Sequence, residues 1–154
     1  MTAGAAVRTL IRRAADRSTV AGQSPVVAAL VRCGPLFRRS VLFVDAGEGP
    51  SVEAVRLARG EGARVTALCP LERAAEARAA GAEFVLDPRR TDPTWYRGAW
   101  SVIVDPEGTI GFRRASRSLG PGGVYITSQA PAGDRLRAAL ARLRRRSRLL
   151  RLGR

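Results

Sequence analysis

From residue 40 onward, short runs of β-branched and other apolar residues alternate with longer segments rich in Ala, Arg and Leu. Strands of a parallel sheet are buried on both faces, so short uninterrupted apolar runs are typical of them. On this basis strands are predicted at residues 41–44, 64–69, 84–86, 101–105 and 124–127. The segments between them have the composition of helices, which predicts a regular alternation of strands and helices.

Helix start and stop signals divide the segments around these strands. Pro50 is placed to open a helix that stops around residues 60–62, and Ser24 is predicted to cap a helix upstream. The other helices are predicted at residues 5–15, 25–33, 72–80, 112–119 and 134–146. The Gly-rich run 120–123 should separate a helix from the fifth strand, and residues 147–152 fit either a sixth strand or more helix. The pattern predicts an α/β fold with a doubly wound parallel sheet of five to six strands and helices on both faces.

At 154 residues the chain has room for one well-buried core. We expect residues 20–154 to form a single domain that ends in an Arg-rich helix, and residues 1–19 to form an N-terminal helical extension. No apolar stretch approaches the roughly 20 residues of a membrane-spanning helix, and the chain start lacks the apolar core of a secretory signal. These features predict a cytoplasmic protein without a transmembrane segment, while the Arg-rich start leaves a mitochondrial transit peptide open.

The charge of the chain is strongly positive, at +14, and all 27 basic residues are Arg. Nine of them lie between Arg135 and Arg154. A basic C-terminal helix can meet phosphate, nucleic acid or an anionic membrane surface, or it can simply be solvated. The sequence therefore leaves open whether the Arg-rich terminus has an anionic partner.

The chain contains no histidine and only two cysteines, Cys33 and Cys69, which stand apart in apolar surroundings. Catalytic sites that pair serine or cysteine with histidine are thereby excluded, and a zinc site is not expected. Both cysteines are predicted to be buried structural thiols. No catalytic residue can be named from these features.

A long stretch of the chain resembles the medium-chain dehydrogenases and reductases, in their zinc-independent quinone oxidoreductase branch. Residues 41–69 read VLFVDAGEGPSVEAVRLARGEGARVTALC, and they align without a gap with the family stretch VLVTGASGGVGxxAVQLAKxxGAxVTAVC. EARAAGAEFVLDPRR, WSVIVDPEG and SLGPGGVYITS are similar to later motifs of that family, in the correct order. The resemblance covers roughly residues 20–145 and implies a Rossmann-like domain that binds NADP or NAD. Family members are much longer, with an N-terminal domain that forms most of the substrate pocket. The resemblance therefore implies a cofactor-binding domain without that catalytic half.

The resemblance also implies a phosphate-binding loop after the first strand. Such a loop needs a tight bend, a residue without a side chain beside the pyrophosphate, and close packing of helix on strand. The family's three glycine positions fall here on Ala46, Glu48 and Ser51. The Glu48 carboxylate is unfavourable there, since two unit charges about 4 Å apart repel by roughly 4 kcal/mol at an effective dielectric near 20, although rotation into water would relieve most of this. The candidate loop residues are Ala46, Gly47, Glu48, Gly49, Pro50 and Ser51.

The same alignment gives candidate cofactor contacts at the ends of later strands. Glu72 and Arg73 follow the second strand, where an acid would bind the ribose hydroxyls of NAD and a basic group the 2′-phosphate of NADP. The two residues can equally well do no more than open a helix. The positions aligned beside the adenosine are Asp105, Pro106 and Gly108, and those aligned near the nicotinamide are Thr127 and Ser128.

Three functions remain open from the sequence. A nicotinamide-dependent oxidoreductase domain, with its substrate half lost or supplied by another chain, fits the resemblance. A non-catalytic Rossmann scaffold, or pseudoenzyme, that dimerises or binds a partner fits the altered phosphate loop. An S-adenosylmethionine-dependent methyltransferase fits VDAGEGPS and LGPGG, but Cys69-Pro70 stands where such enzymes usually place an acid. A homodimer is expected, because a sheet with exposed edges tends to pair.

Overall fold

The computed structural model describes residues 24–46, 49–129 and 147–151. Its strands are β1 (Ser40–Val44), β2 (Arg64–Leu68), β3 (Phe84–Leu86), β4 (Trp100–Val104), β5 (Leu119–Thr127) and β6 (Ser147–Arg151). All neighbouring pairs are parallel, and the strand order is β3-β2-β1-β4-β5-β6. This is the order of the doubly wound Rossmann fold, in which the direction of winding reverses between β1 and β4.

The helices are α1 (Pro25–Val31), α2 (Pro50–Gly60), α3 (Ala74–Ala80) and α4 (Phe112–Ser118), with short 3-10 turns at Leu71–Arg73 and Pro93–Trp95. The predicted cap of α1 is confirmed, because the Ser24 hydroxyl accepts a hydrogen bond from the Val26 amide at 3.3 Å. Gly81 ends α3 in a left-handed conformation, with φ 119°.

Helices cover both faces of the sheet, as predicted. On one face α1, α2 and α3 pack against side chains such as Val41 and Phe43 of β1. On the other face α4 contributes Phe112 and Ala115 to a second cluster that includes Leu42. The alternation along β1 decides which side chain meets which layer, and burial of each large side chain stabilises the fold by about 1.5–3 kcal/mol.

The structure differs from the predicted elements in two places and decides a third that was left open. Residues 120–123, predicted as a loop, lie inside β5, because pairing with β4 begins at Leu119, bulges over these glycines and resumes at Val124. The helix predicted at 72–80 is a 3-10 turn followed by α3. Residues 147–151 form the sixth strand, one of the two alternatives left open.

Several predictions concern parts of the chain that the structure does not describe. The helices predicted at 5–15 and 134–146 lie there, as does the extension 1–19, and the division into domains stays a prediction.

Both cysteines are buried, as predicted. Among residues 24–46, 49–129 and 147–151, no helix has the length and apolar character needed to cross a bilayer.

Candidate functional site

The predicted site residues lie at one edge of the sheet, where the strands end. In open α/β sheets ligands bind outside the carboxyl ends of the strands, at the point where the winding reverses. Here that point is the crevice between β1 and β4, which pair directly through Val41–Phe43 and Val102–Val104. The turns that follow β1, β2, β3 and β4 therefore form the walls of the candidate site.

The turn after β1 bends sharply and then opens α2. Asp45 adopts a left-handed conformation, with φ 56°, and its amide donates to the Leu68 carbonyl of β2 at 2.9 Å. Ala46 is fully buried, and Ser51 is 6% exposed at the position where the family packs helix against strand. Gly47 and Glu48 lie outside the described residues. The predicted bend is therefore present, and its left-handed residue is Asp45.

Gly49 provides the fit test for a phosphate at this turn. It precedes α2 with φ 51°, a conformation that favours glycine, and Pro50 fills the first helical position. No atom lies within 4 Å of the point where a Cβ on Gly49 would stand, apart from its chain neighbours. Among the described residues, none occupies the space beside the Gly49 backbone, which lies at the N-terminal end of a helix, where anions bind favourably. This geometry fits a dinucleotide phosphate.

The turn after β2 begins with a buried thiol. Burial raises the pKa of the Cys69 thiol, and the nearby Asp45 carboxylate raises it further, against the opposing effect of Arg73. Cys69 is therefore a protonated, unreactive thiol at neutral pH, in agreement with a structural role. Its electrostatic neighbours also show that the ends of β1 and β2 share one polar environment.

Glu72 and Arg73 lie in the 3-10 turn between β2 and α3. Glu72 is fully exposed, and its carboxylate accepts a hydrogen bond from the Arg89 guanidinium at 3.2 Å. A local backbone hydrogen bond and the charge of Arg89 lower the pKa of Glu72. The carboxylate at the predicted ribose-binding position is thus ionised and already paired.

Arg89 is a site residue that sequence reasoning missed. It follows β3, and its amide donates to the Asp87 carboxylate at 2.9 Å, which fixes the turn. It lies 17 positions from Glu72, so only the pairing of β2 with β3 brings the two together. The two adjacent arginines at 89 and 90, directly after the third predicted strand, are the sequence signal by which Arg89 could be identified.

The turn after β4 is built around Asp105, which is fully buried. Its carboxylate accepts hydrogen bonds from the amides of Thr109 and Ile110, at 2.9 and 2.8 Å. It also accepts one from the Tyr125 hydroxyl of β5, at 2.7 Å. Burial and this bond to Asp105 raise the pKa of Tyr125 far above its usual value. The Asp105 side chain therefore shapes the loop that it was predicted to line.

The turn after β5 is tied to the same loop. Ser128 donates to the Pro106 carbonyl through both its amide, at 3.0 Å, and its hydroxyl. The Thr127 hydroxyl is buried and donates to the Gln129 carbonyl at 3.1 Å. Gly108 has φ 72°, and a Cβ there would lie 2.9 Å from the Gln129 side chain, so only glycine fits. These two turns form one compact, internally bonded wall.

The structure thus brings the predicted residues to a single edge in two groups. The first group is Ala46, Gly49, Pro50, Ser51, Glu72 and Arg73, and the second is Asp105, Pro106, Gly108, Thr127 and Ser128. The first surrounds an open helix N-terminus and exposed charged side chains. In the second group, most polar side-chain atoms are engaged in internal hydrogen bonds.

No family model matches the sequence, and neither does any curated protein. Solved structures do match. A quinone oxidoreductase from Coxiella burnetii is 16% identical with a TM-score of 0.69, over 87% of this chain and 43% of that one. A thermostable alcohol dehydrogenase from Pyrobaculum aerophilum, solved with cobalt and zinc, is 26% identical with a TM-score of 0.64, over 84% and 39%. A mycobacterial protein solved with NADPH is 22% identical with a TM-score of 0.64, over 84% and 45%.

The chain spans less than half the length of each of these matched proteins. What it shares with them is the Rossmann half. The predicted resemblance to the cofactor-binding half of quinone and alcohol oxidoreductases of the medium-chain superfamily is confirmed at this level. The expected absence of zinc stays a prediction, because one of the matched proteins was solved with zinc.

Proposed function

We propose, from the fold shared with the cofactor-binding half of these oxidoreductases, that the chain binds NADP or NAD at the carboxyl edge of its sheet. The pyrophosphate would lie over Gly49 and the N-terminus of α2, and the adenosine over the turns after β2 and β3. The domain then acts as the cofactor-binding unit of an oxidoreductase whose substrate-binding part is not among the described residues. The bound nicotinamide supplies hydride transfer, while the chain positions it.

The observation that carries this proposal is the geometry at Gly49. Its positive φ and the open space at its Cβ position give a phosphate direct access to backbone at a helix N-terminus. The first strand, the bend and the helix occur in the order that dinucleotide binding requires. No other turn among the described residues combines these features with a helix as long as α2.

We further propose that NADP is preferred to NAD. NAD-binding sites use a free acid to hold the ribose hydroxyls. Here the candidate acid, Glu72, is held by Arg89. Arg73 and Arg89 place two guanidinium groups beside the adenosine position, and guanidinium binds phosphate well through paired hydrogen bonds. Both features favour a 2′-phosphate.

Thermal unfolding of the full chain with NADPH, NADH or S-adenosylmethionine tests the proposal. A ligand at 100 times its dissociation constant stabilises by about 2.7 kcal/mol, which is roughly 5–10 °C in Tm for a chain of this size. We expect this shift with NADPH, a smaller one with NADH and none with S-adenosylmethionine. Sulfate at the same ionic strength is the control for non-specific binding of anions to a chain of charge +14.

A matched pair of glycine variants locates the site. Gly49→Ala places a methyl group in the phosphate position, whereas Gly34→Ala introduces the same kind of strain, at φ 82° and in equally open space, before β1. Both variants should lose similar stability without ligand, about 1–2 kcal/mol. Only Gly49→Ala should weaken NADPH binding, by tenfold or more. Equal binding by the two variants would refute the proposed phosphate site.

The non-catalytic scaffold remains the alternative. It is favoured by the extent to which Asp105, Thr127 and Ser128 are engaged in internal hydrogen bonds at the nicotinamide side of the crevice. No stabilisation by either nicotinamide dinucleotide, at concentrations where sulfate also has no effect, would select it. Residual stabilisation by S-adenosylmethionine alone would instead select the methyltransferase.

A further inference from the structure

An aromatic groove lies beside β2 and β3, on the sheet face that carries α4. It is a cavity of about 250 Å³, and we define it by Arg64, Thr66, Phe84, Tyr96 and Trp100. Ser40 and Arg64, the first residues of β1 and β2, place it toward the amino end of the strands. The groove is therefore separate from the candidate dinucleotide site.

The groove exists because one crossover has no α-helix. The connection between parallel strands is usually a helix that covers the sheet. Residues 87–99, which join β3 to β4 and are fully described, form only the 3-10 turn Pro93–Trp95. Large side chains remain exposed as a result, namely Trp95 at 71%, Phe84 at 50% and Tyr96 at 48%. Exposed aromatic side chains clustered around a pocket mark an interaction surface.

The floor of the groove is held in place. The Trp100 indole N–H donates to the Pro93 carbonyl at 3.1 Å, and the Tyr96 ring packs edge-on against Trp100 with centroids 6.5 Å apart. Asp92 anchors the start of the turn through the Thr94 amide and Arg114. A partner would therefore bind a preformed surface, and the entropy cost of ordering that surface would be small.

The charge around the groove is positive. Arg64 lines it and Arg97 directly follows Tyr96, and none of the ion pairs of the described residues involves either. Asp92, in the turn before Tyr96, and Glu83, next to Phe84, are each paired with another arginine. The groove thus combines apolar contact area with the guanidinium group of Arg64, and a second arginine, Arg97, follows Tyr96 in the chain.

We propose that the aromatic groove binds an acidic amphipathic helix of a separate protein, which takes the place of the missing crossover helix. Its apolar stripe packs on Phe84, Tyr96 and Trp95, and its carboxylates pair with Arg64 and Arg97. Charge disfavours the other occupants. Residues 1–23 carry four arginines and one acid, residues 130–146 carry six arginines and one acid, and a second copy brings a charge of +14.

The tryptophans give a selective readout of this proposal. The chain has only two, of which Trp100 lines the groove and Trp95 directly precedes the lining residue Tyr96 and is 71% exposed. The full chain is titrated with a Trp-free helical peptide of about 18 residues, with leucines along one face and glutamates elsewhere. A second peptide has the same leucines but lysines in place of the glutamates. We expect a blue shift of the tryptophan emission with the acidic peptide alone.

Variants separate the groove from the overall charge. Phe84→Ser should lower the affinity for the acidic peptide at least tenfold, while Leu71→Ser, at another exposed apolar residue, should not. Arg64→Glu should also lower the affinity for the acidic peptide strongly. Arg56→Glu changes the net charge equally but lies on the exposed side of α2, on the opposite face, and should have little effect.

Four results would overturn the proposal: no binding of the acidic peptide, equal binding of both peptides, equal effects of Arg64→Glu and Arg56→Glu, or a groove that is already covered. The last is checked on the full chain alone. We expect Trp95 to be quenched readily by acrylamide at all concentrations. Shielding in dilute solution would mean that the chain's own segments cover the groove, and shielding that grows with concentration, together with a dimer in sedimentation, would mean that a second copy does.

Discussion

The two halves of the carboxyl edge differ in how they use their polar groups. Over β4 and β5, Asp105, Tyr125, Thr127 and Ser128 bond to one another's turns and leave a closed wall. Over β1, β2 and β3, the turn at Gly49 is open and the charged residues Glu72 and Arg89 stand in solvent. The polar groups over β4 and β5 thus stabilise the fold, whereas those over β1, β2 and β3 are accessible to a ligand.

This difference indicates which part of a dinucleotide the proposed site would contact most strongly. Exposed guanidinium groups and bare helix amides suit phosphates, so the affinity should come from the adenosine and pyrophosphate side. The wall over β4 and β5 offers shape more than free hydrogen-bonding groups. Substitutions in the closed half should therefore change stability, and those in the open half should change binding.

The largest effect is expected for Asp105→Ala. The change leaves two buried donors, on Ile110 and Tyr125, and the part-buried amide of Thr109 without their acceptor. We expect a loss of about 3 kcal/mol or more in the free energy of unfolding, measured by urea denaturation. Arg90→Gln, at an exposed residue of the open half, should change it by less than about 0.5 kcal/mol. Similar losses in both variants would remove the distinction between the halves.

A smaller loss is expected for Tyr125→Phe. This variant removes one donor to Asp105 and keeps both backbone amides, so the carboxylate stays partly satisfied. We expect about 1–2 kcal/mol, since hydrogen bonds to charged groups contribute more than neutral ones. Tyr96→Phe removes a hydroxyl from a half-exposed ring in the aromatic groove and should be near neutral. Equal values for the two tyrosines would show that the Asp105 network contributes little.

In the open half, Arg89→Gln should alter ligand preference rather than stability. The change removes one guanidinium from the adenosine side and releases Glu72. NADPH binding is expected to weaken about tenfold, while NADH binding holds or improves, because the freed acid can take the ribose hydroxyls. Titration calorimetry gives both constants. The neighbouring Arg90→Gln is the control, and an equal loss for both ligands in both variants would point to general charge attraction.

The smallest effect concerns the reactivity of Cys69. Burial and the nearby Asp45 raise the pKa of its thiol above the ordinary value of 9.0, so the thiolate forms only in alkaline solution. In a Cys33→Ser variant, alkylation by iodoacetamide should be slow at pH 7 and rise with pH beyond 9. Bound NADPH adds negative charge and should slow it further. Rapid labelling at neutral pH would contradict the environment described for the end of β2.

The alternation of apolar runs and helical segments was enough to predict the strands and the parallel sheet, because these depend on local pattern. The phosphate-binding role of the turn after β1 came from the family resemblance and stays a prediction. Interactions between distant residues could not be read in this way. The pair Glu72–Arg89 forms only when β2 and β3 align, and Asp105 meets Tyr125 only across β4 and β5. Residues 120–123 have the composition of a turn, but strand pairing on both sides makes them a bulge of β5.

The aromatic groove shows the same limit. No helix is predicted between Phe84 and Trp100, yet the sequence alone does not tell which side chains that absence exposes. Their exposure depends on where α4 stops covering the sheet, which is a property of packing. Apolar residues such as Phe84 and Trp95 would ordinarily be assigned to the core.

Backbone amide shifts of the full chain on addition of NADPH test the proposed function most directly. The account predicts saturable shifts at Gly49, Ser51 and Val52, at Arg73 and at Arg89, all of them reduced in the Gly49→Ala variant. Pyrophosphate at the same concentration should reproduce the shifts at Gly49 but not those at Arg73 and Arg89. Shifts confined to the Arg-rich C-terminus, or unchanged spectra around Gly49, would contradict dinucleotide binding at this edge.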